Sequence, residues 1–296
     1  MEKKKINLTH ETLAYYDEGK SSNKQLTICL IHGNTSSSSF FCPLIEQLSP
    51  SFRVVAMDLR GFGDSSYHQR YDSLATLADD VAQLLKALKI KEVLVLGWSL
   101  GGGVAMYLAL NYPSLVKKLY LLNSTPCGGF PLYKDILADG TLVPYANKEE
   151  LSNDPVKVIP ILQLIESQNA EFFAYIFKNS MYNVNSPSPS YQTMCVQEAL
   201  KMRCLVDADW ALTNLNLSHL DSPYAPATHQ ISQLKIPTYL TFSAHDLIVT
   251  KNIYLTNEQA INADQVKLVY FEHSGHSPIV DELPKLVQSI KDLANQ

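Results

Sequence analysis

The chain has 296 residues, 46% of them hydrophobic, with a formal net charge of −5 at pH 7 and a sequence pI of about 5.9. That length and apolar share suit one large α/β domain, or a core carrying an insertion. The mild acidity excludes the basic footprint of a nucleic-acid or anionic-membrane binder.

In chain order, Met1-Glu2-Lys3-Lys4-Lys5 resembles the charged start of a secretion signal, but no apolar run follows. No secretion signal and a cytoplasmic location are therefore expected. Ile6–Leu8 and Thr12–Tyr16 read as short strands, and residues 26–31 (LTICLI) as a buried one. His32-Gly33-Asn34-Thr35 and four serines follow, a loop able to cap a helix over residues 40–48. Arg53–Met57 predicts another strand, leading into Asp58-Leu59-Arg60-Gly61-Phe62-Gly63-Asp64-Ser65. Asp58 and Asp64 there favour a structural turn held by charged hydrogen bonds over catalytic carboxylates. Leu74, Leu77, Val81, Leu84, Leu85 and Leu88 form one helical stripe, the mark of a surface helix packed on a sheet.

The stretch from Val93 to Leu110 carries the strongest signal. Val93–Leu96 is wholly apolar, as a strand buried on both faces must be. Gly97-Trp98-Ser99-Leu100-Gly101 then leads into an apolar helix that Pro113 ends. Strand, tight turn and helix around G-x-S-x-G predict a nucleophile elbow, with Ser99 at the helix N-terminus and small neighbours giving it freedom. After a strand at residues 118–122 the strand–helix alternation stops. Residues 124–233 show instead helical patterns with N-cap signals at Asp154 and Asn169, a Ser-Pro-Ser-Pro turn at 186–189, and helices near 191–203 and 207–216. Phe130, Phe172, Phe173, Tyr175, Phe177, Met181, Met194, Met202 and Trp210 supply packing, with some left over to line an apolar pocket. Alternation resumes with a strand at 236–242, a helix at 251–261, a strand at 266–271 and a closing helix at 283–293. The pattern predicts an α/β fold whose mostly parallel sheet is covered on both faces, with core at 1–123 and 234–296 and a helical cap at 124–233.

A serine hydroxyl needs a base to become nucleophilic, and the base needs an orienting acid. Asp246 and His276, each in a loop after a predicted strand, complete the order Ser99, Asp246, His276. His245 and His273 are read as ordinary surface histidines. Asn123, at the other place an acid could stand, cannot carry the charge. Gly275 is expected to give the His276 loop flexibility. The backbone N–H groups of Asn34 and Leu100 are the expected oxyanion donors, and Trp98 is taken as a substrate contact. No metal is expected, because His273-x-x-His276 lacks a third ligand. The five cysteines (29, 42, 127, 195 and 204) are odd in number and unclustered, so free thiols are expected.

These motifs together resemble the α/β-hydrolase superfamily: HGN at 32–34, DLRGFGDSS at 58–66, GWSLGG at 97–102, the Asp246 loop and GHSP at 275–278. The resemblance implies an eight-stranded sheet with an inserted helical cap, no cofactor, and a serine hydrolase. HGNTSSSS with GWSLGG is similar to carboxylesterases and serine-type N-acylhomoserine lactonases. The HGN start also resembles haloalkane dehalogenases, but those, like epoxide hydrolases, use an aspartate where this chain has Ser99. Meta-cleavage carbon–carbon hydrolases and cofactor-free perhydrolases share the triad or the elbow. The expected partner is a small ester or lactone with an apolar part, without nucleic acid or a membrane span. A small-molecule receptor on the same fold is the alternative of another class, and oligomeric state is open.

Overall fold

The computed structural model describes residues 1–20, 25–261 and 263–296. Among them eight strands form one sheet: β1 (Lys4–Asn7), β2 (Thr12–Glu18), β3 (Thr27–Ile31), β4 (Val54–Met57), β5 (Val93–Trp98), β6 (Val116–Leu122), β9 (Thr238–Ser243) and β10 (Val266–Phe271). Their spatial order is β1-β2-β4-β3-β5-β6-β9-β10. β1 and β2 pair antiparallel, β2 pairs antiparallel with β4, and from β4 to β10 every pairing is parallel. This is the architecture the motifs implied. β7 (Asp135–Ile136) and β8 (Leu142–Val143) form a separate antiparallel ribbon.

Parallel strands need crossover helices, and these fix the two layers. α2 (Leu74–Ala87), α3 (Leu100–Asn111) and α9 (Lys251–Ala260) pack on one face. α1 (Cys42–Leu48) and α11 (Leu283–Asn295) cover the other. The central strands show why: in β5, Val93 and Val95 belong to the first core, while Leu94, Leu96 and Trp98 belong to the second. α10 (Pro278–Asp281) precedes α11.

Between β6 and β9 the chain holds the ribbon and α4 (Lys148–Ser152), α5 (Ile159–Glu166), α6 (Ala170–Ser180), α7 (Pro189–Ala199) and α8 (Leu205–Thr213). α8 adds Leu205, Ala208 and Leu212 to the first core, while α6 and α7 add Phe173, Phe177 and Val196 to the second. The segment thus bridges both faces of the sheet. It is not purely helical, since β7 and β8 are too short to leave a period-2 pattern. The Asn169 side chain accepts from Phe172 N at 3.0 Å and caps α6 as its position predicted. Asp154 caps only a turn, accepting from Val156 N and Lys157 N, and α5 begins five residues later at Ile159. No helix among the described residues is long and apolar enough to cross a membrane.

Candidate active site

Ser99, Asp246, His276 and Asn34 all stand beyond the C-terminal ends of parallel strands, where open α/β sheets assemble sites. Ser99 follows β5 directly and lies at φ +55°, ψ −121°. The flanking glycines give this turn space. Neither Gly97 nor Gly101 has a positive φ. A Cβ on Gly97 would come within 2.2 Å of Gly101 O, and one on Gly101 within 2.2 Å of Ile31 O. The freedom expected of them is therefore room for close approach, while the serine itself takes the strain.

His276 is 2% exposed, and its Nδ1 meets Asp246 Oδ2 at 2.8 Å. Asp246 Oδ1 accepts from Ile248 N at 2.8 Å and Val249 N at 2.9 Å, so both carboxylate oxygens are engaged. With Nδ1 committed to the carboxylate, Nε2 is the nitrogen left for proton transfer. Ser99 and His276 line one cavity of about 220 Å³. Among the described residues no hydrogen bond joins Ser99 Oγ to His276 Nε2. His245 and His273 are exposed, and His273 does not share the His276 pocket.

The loop after β3 is held from three sides. His32 is fully buried; its Nδ1 donates to Gly33 O at 2.8 Å, and Nε2 accepts from Leu59 N at 3.0 Å. Burial pushes this imidazole down to about 4, so it is neutral and keeps that pattern. Asn34 Oδ1 accepts from Thr35 N at 3.0 Å, and Asn34 Nδ2 donates to Asp209 Oδ1 at 2.8 Å. Thr35 sits at φ +46°, an uncommon conformation for a β-branched residue. Asn34 and Leu100 both line the cavity, and no hydrogen bond engages either backbone N–H among the described residues.

Trp98 is 1% exposed and reaches the cavity only at its wall. Its Nε1–H donates to His276 O at 2.9 Å and its ring lies 5.5 Å from the imidazole. It holds the histidine loop more than it offers surface to a ligand. Asn123, dismissed as an acid, is part of the same brace. It sits at φ +40°, with Nδ2 near Ser243 Oγ (2.9 Å), Gly275 O (3.2 Å) and His276 O (3.3 Å). At Gly275 the structure shows a need for space. A Cβ there would lie 2.2 Å from Asn183 Oδ1, and its N–H donates to Asp281 Oδ2 at 2.9 Å. The glycine lets the segment between β6 and β9 press on the histidine loop.

Of the aromatic and methionine residues in that segment, Phe130 and Met181 line the cavity, with Leu132 and Leu212 beside them. Phe173 and Phe177 are buried in the core, while Phe172 and Tyr175 are exposed. Asp209 of α8 also lines the cavity and was not singled out by the sequence. Withdrawal from water pushes its carboxyl up to about 7, against the lowering effect of the Asn34 bond. Its place could be found only by knowing which face of α8 meets the β3 loop.

Asp58 is a turn anchor, as expected. Its Oδ1 accepts from Ser38 N at 2.8 Å and its Oδ2 from Asp64 N at 2.8 Å. Carboxylate oxygens of Asp58, Asp64 and Glu198 lie within 4.8 Å of one another. The Lys3 ammonium sits among them, 2.8 Å from Asp58 and also bonded to Glu198. The five cysteines are free thiols.

Residues 27–155 match the model of the alpha/beta hydrolase fold family. The chain is 25% identical over 289 residues to a pimeloyl-[acyl-carrier protein] methyl ester esterase of Aliivibrio fischeri, covering 96% of this chain and 98% of the relative. Among solved structures it resembles the enol-lactonase of Burkholderia xenovorans, with a TM-score of 0.74, 18% identity, and coverage of 99% and 100%. It also resembles an esterase of Exiguobacterium antarcticum, with a TM-score of 0.70, 20% identity, and coverage of 97% and 96%.

Proposed function

We propose that this chain, a member of the α/β-hydrolase superfamily, is a serine hydrolase that cleaves a carboxylic ester or lactone through an acyl-enzyme on Ser99. The observation that carries the reading is the strained Ser99 sharing one cavity with His276, whose Nδ1 is bound by a fully engaged Asp246. Ser99 Oγ attacks the carbonyl carbon as His276 Nε2 takes its proton. Asp246 keeps the imidazole in the tautomer that leaves Nε2 basic and stabilises the imidazolium that forms. The unengaged N–H groups of Asn34 and Leu100 receive the negative charge on the carbonyl oxygen, with the α3 N-terminus adding to the field. His276 then returns its proton to the leaving alcohol. A water activated by the same nitrogen attacks the acyl-enzyme and releases the acid.

The segment between β6 and β9 serves in this reading as a cap, roofing the cavity with Phe130, Leu132, Met181 and Leu212. That apolar wall suits an aliphatic acyl or alcohol chain. A relative that matches along almost the whole chain is an esterase of a methyl ester, which favours an open ester over a lactone.

The test is kcat/KM on p-nitrophenyl esters of increasing acyl length beside an N-acylhomoserine lactone, with Ser99→Ala as control. An ester optimum that sizes the pocket is expected, and Ser99→Ala should lower kcat on the order of 10⁴-fold or more, because triad members act as a unit. Retention of a few per cent of the wild-type rate would sink the assignment of Ser99. Lactone turnover outrunning every ester would make the enzyme a lactonase. Silence on both, with no fluorophosphonate labelling of Ser99, would favour the receptor reading. Labelling without turnover would direct the search to carbon–carbon substrates.

A further inference from the structure

The cavity wall carries a polar side chain for which acyl transfer has no use. Asp209 spends one carboxylate oxygen on Asn34 Nδ2 at 2.8 Å, and its Oδ2 has no hydrogen-bond partner among the described residues. No Lys or Arg is found among the residues lining the cavity. The carboxylate is half-buried in the wall, and the protein gives it a single amide. A donor carried by the ligand would complete its hydrogen bonding.

We propose that Asp209 makes this site selective for esters whose chain bears a hydrogen-bond donor, an ammonium group above a hydroxyl. The proposal rests on the serine-esterase reading and names the substrate class for it. The rest of the wall is largely apolar, so a chain ending in methyl would leave Asp209 Oδ2 without a partner, whereas a donor-bearing chain pairs it. An ammonium adds the counter-charge that the lining lacks. Burial pushes that carboxyl up to about 7, and a cation arriving there would favour its ionised form and gain a charge-assisted bond. An unpaired carboxylate joined to Asn34 would instead oppose the oxyanion forming at that residue's N–H, which is a reason for the site to disfavour chains that leave it bare.

The experiment compares three methyl esters of equal chain length, ending in methyl, hydroxyl or ammonium, with methanol release as the readout. Fluorophosphonates with the same three end groups give a second readout, the labelling rate of Ser99. Wild type should prefer the ammonium ester over the methyl-ended one by about tenfold or more in kcat/KM, with the hydroxyl ester between them. In Asp209→Asn, whose amide oxygen can still accept from Asn34, the preference should shrink to within about threefold whatever the absolute rate. Equal turnover or labelling across the series in wild type, or an unchanged preference in Asp209→Asn, overturns the selectivity and leaves the esterase reading standing. No turnover together with no labelling of Ser99 overturns the esterase reading, and the selectivity with it.

Discussion

A side chain held at φ +55°, ψ −121° costs on the order of 1–3 kcal/mol, and at Ser99 that strain places the hydroxyl at the N-terminus of α3. The cost belongs to the Cβ, so it survives in Ser99→Ala and disappears in Ser99→Gly. Glycine gives back part of the gain through the freedom it adds to the unfolded chain, about 0.4–1 kcal/mol. Both variants should be inactive, and Ser99→Gly should melt at the higher temperature. Calorimetry of the pair checks this, and equal Tm values would mean that the turn stores no strain. This residue and His276 were legible because their chemistry is written in contiguous motifs, G-x-S-x-G and G-H-S-P. Asn123 and Asp209 were not. One acts through carbonyls of a loop about 150 positions away (Asn123 to Gly275 and His276), the other from α8 on Asn34 in the loop after β3, and neither leaves a local pattern.

Strands and long helices of the core could be read from sequence because burial on two faces forces apolar runs, as in β3 and β5, and burial on one face forces the stripe of α2. The segment between β6 and β9 was blurred for the opposite reason. α4 spans only five residues and the ribbon strands two each, lengths too short to show a period. What ties such pieces down is polar and non-local. Lys3, ahead of β1, reaches Asp58 at the end of β4, Asp64 in the following loop and Glu198 on α7, while Lys201 binds Asp64 at 2.8 Å and Glu198 at 2.5 Å. Burial alone would lower the Lys3 pKa, but Asp58 and Glu198 outweigh it and hold the ammonium above its usual range. Glu198 also accepts from Ser37 Oγ at 2.7 Å, so the cluster leans on the loop that carries Asn34. Replacing Lys3 by Met keeps the stem and removes the charge, stranding Asp58 and Glu198 with too little compensation. Lys3→Met should lose about 3–5 kcal/mol in urea denaturation. A loss under 1 kcal/mol would show that water or Lys201 compensates the carboxylates unaided.

At the scale of the whole molecule the proposed cap, the segment between β6 and β9, is tied to the core at several polar points, and Asp207 of α8 is the most heavily bonded of those among the described residues. It accepts from Arg70 Nη2 at 2.6 Å, Lys148 Nζ at 3.0 Å and Tyr71 N at 3.2 Å, and from the Tyr67 hydroxyl. Burial would raise its pKa, yet Arg70, Tyr67 and Lys148 outweigh that and bring the carboxyl down to about 2. For a depressed carboxylate the stabilisation is complete above the unfolded value near 4 and is lost as pH falls through about 2; here it is on the order of 2 kcal/mol. Asp207→Asn at neutral pH removes the same charge and leaves the four donors around a single amide oxygen. Because those donors join α8 and α4 to the loop at 67–71, the loss should fall on the cap. Amides of α8 and α4 should exchange with deuterium about tenfold faster or more, while those of β3 and β5 keep their wild-type protection. Wild type taken from pH 4 toward pH 2 should loosen the same helices first, once the exchange rates are corrected for pH. Equal acceleration in α8 and β5 would mean that cap and core open as one cooperative unit, and the Asp207 contacts would then stabilise the molecule as a whole rather than the roof of its cavity.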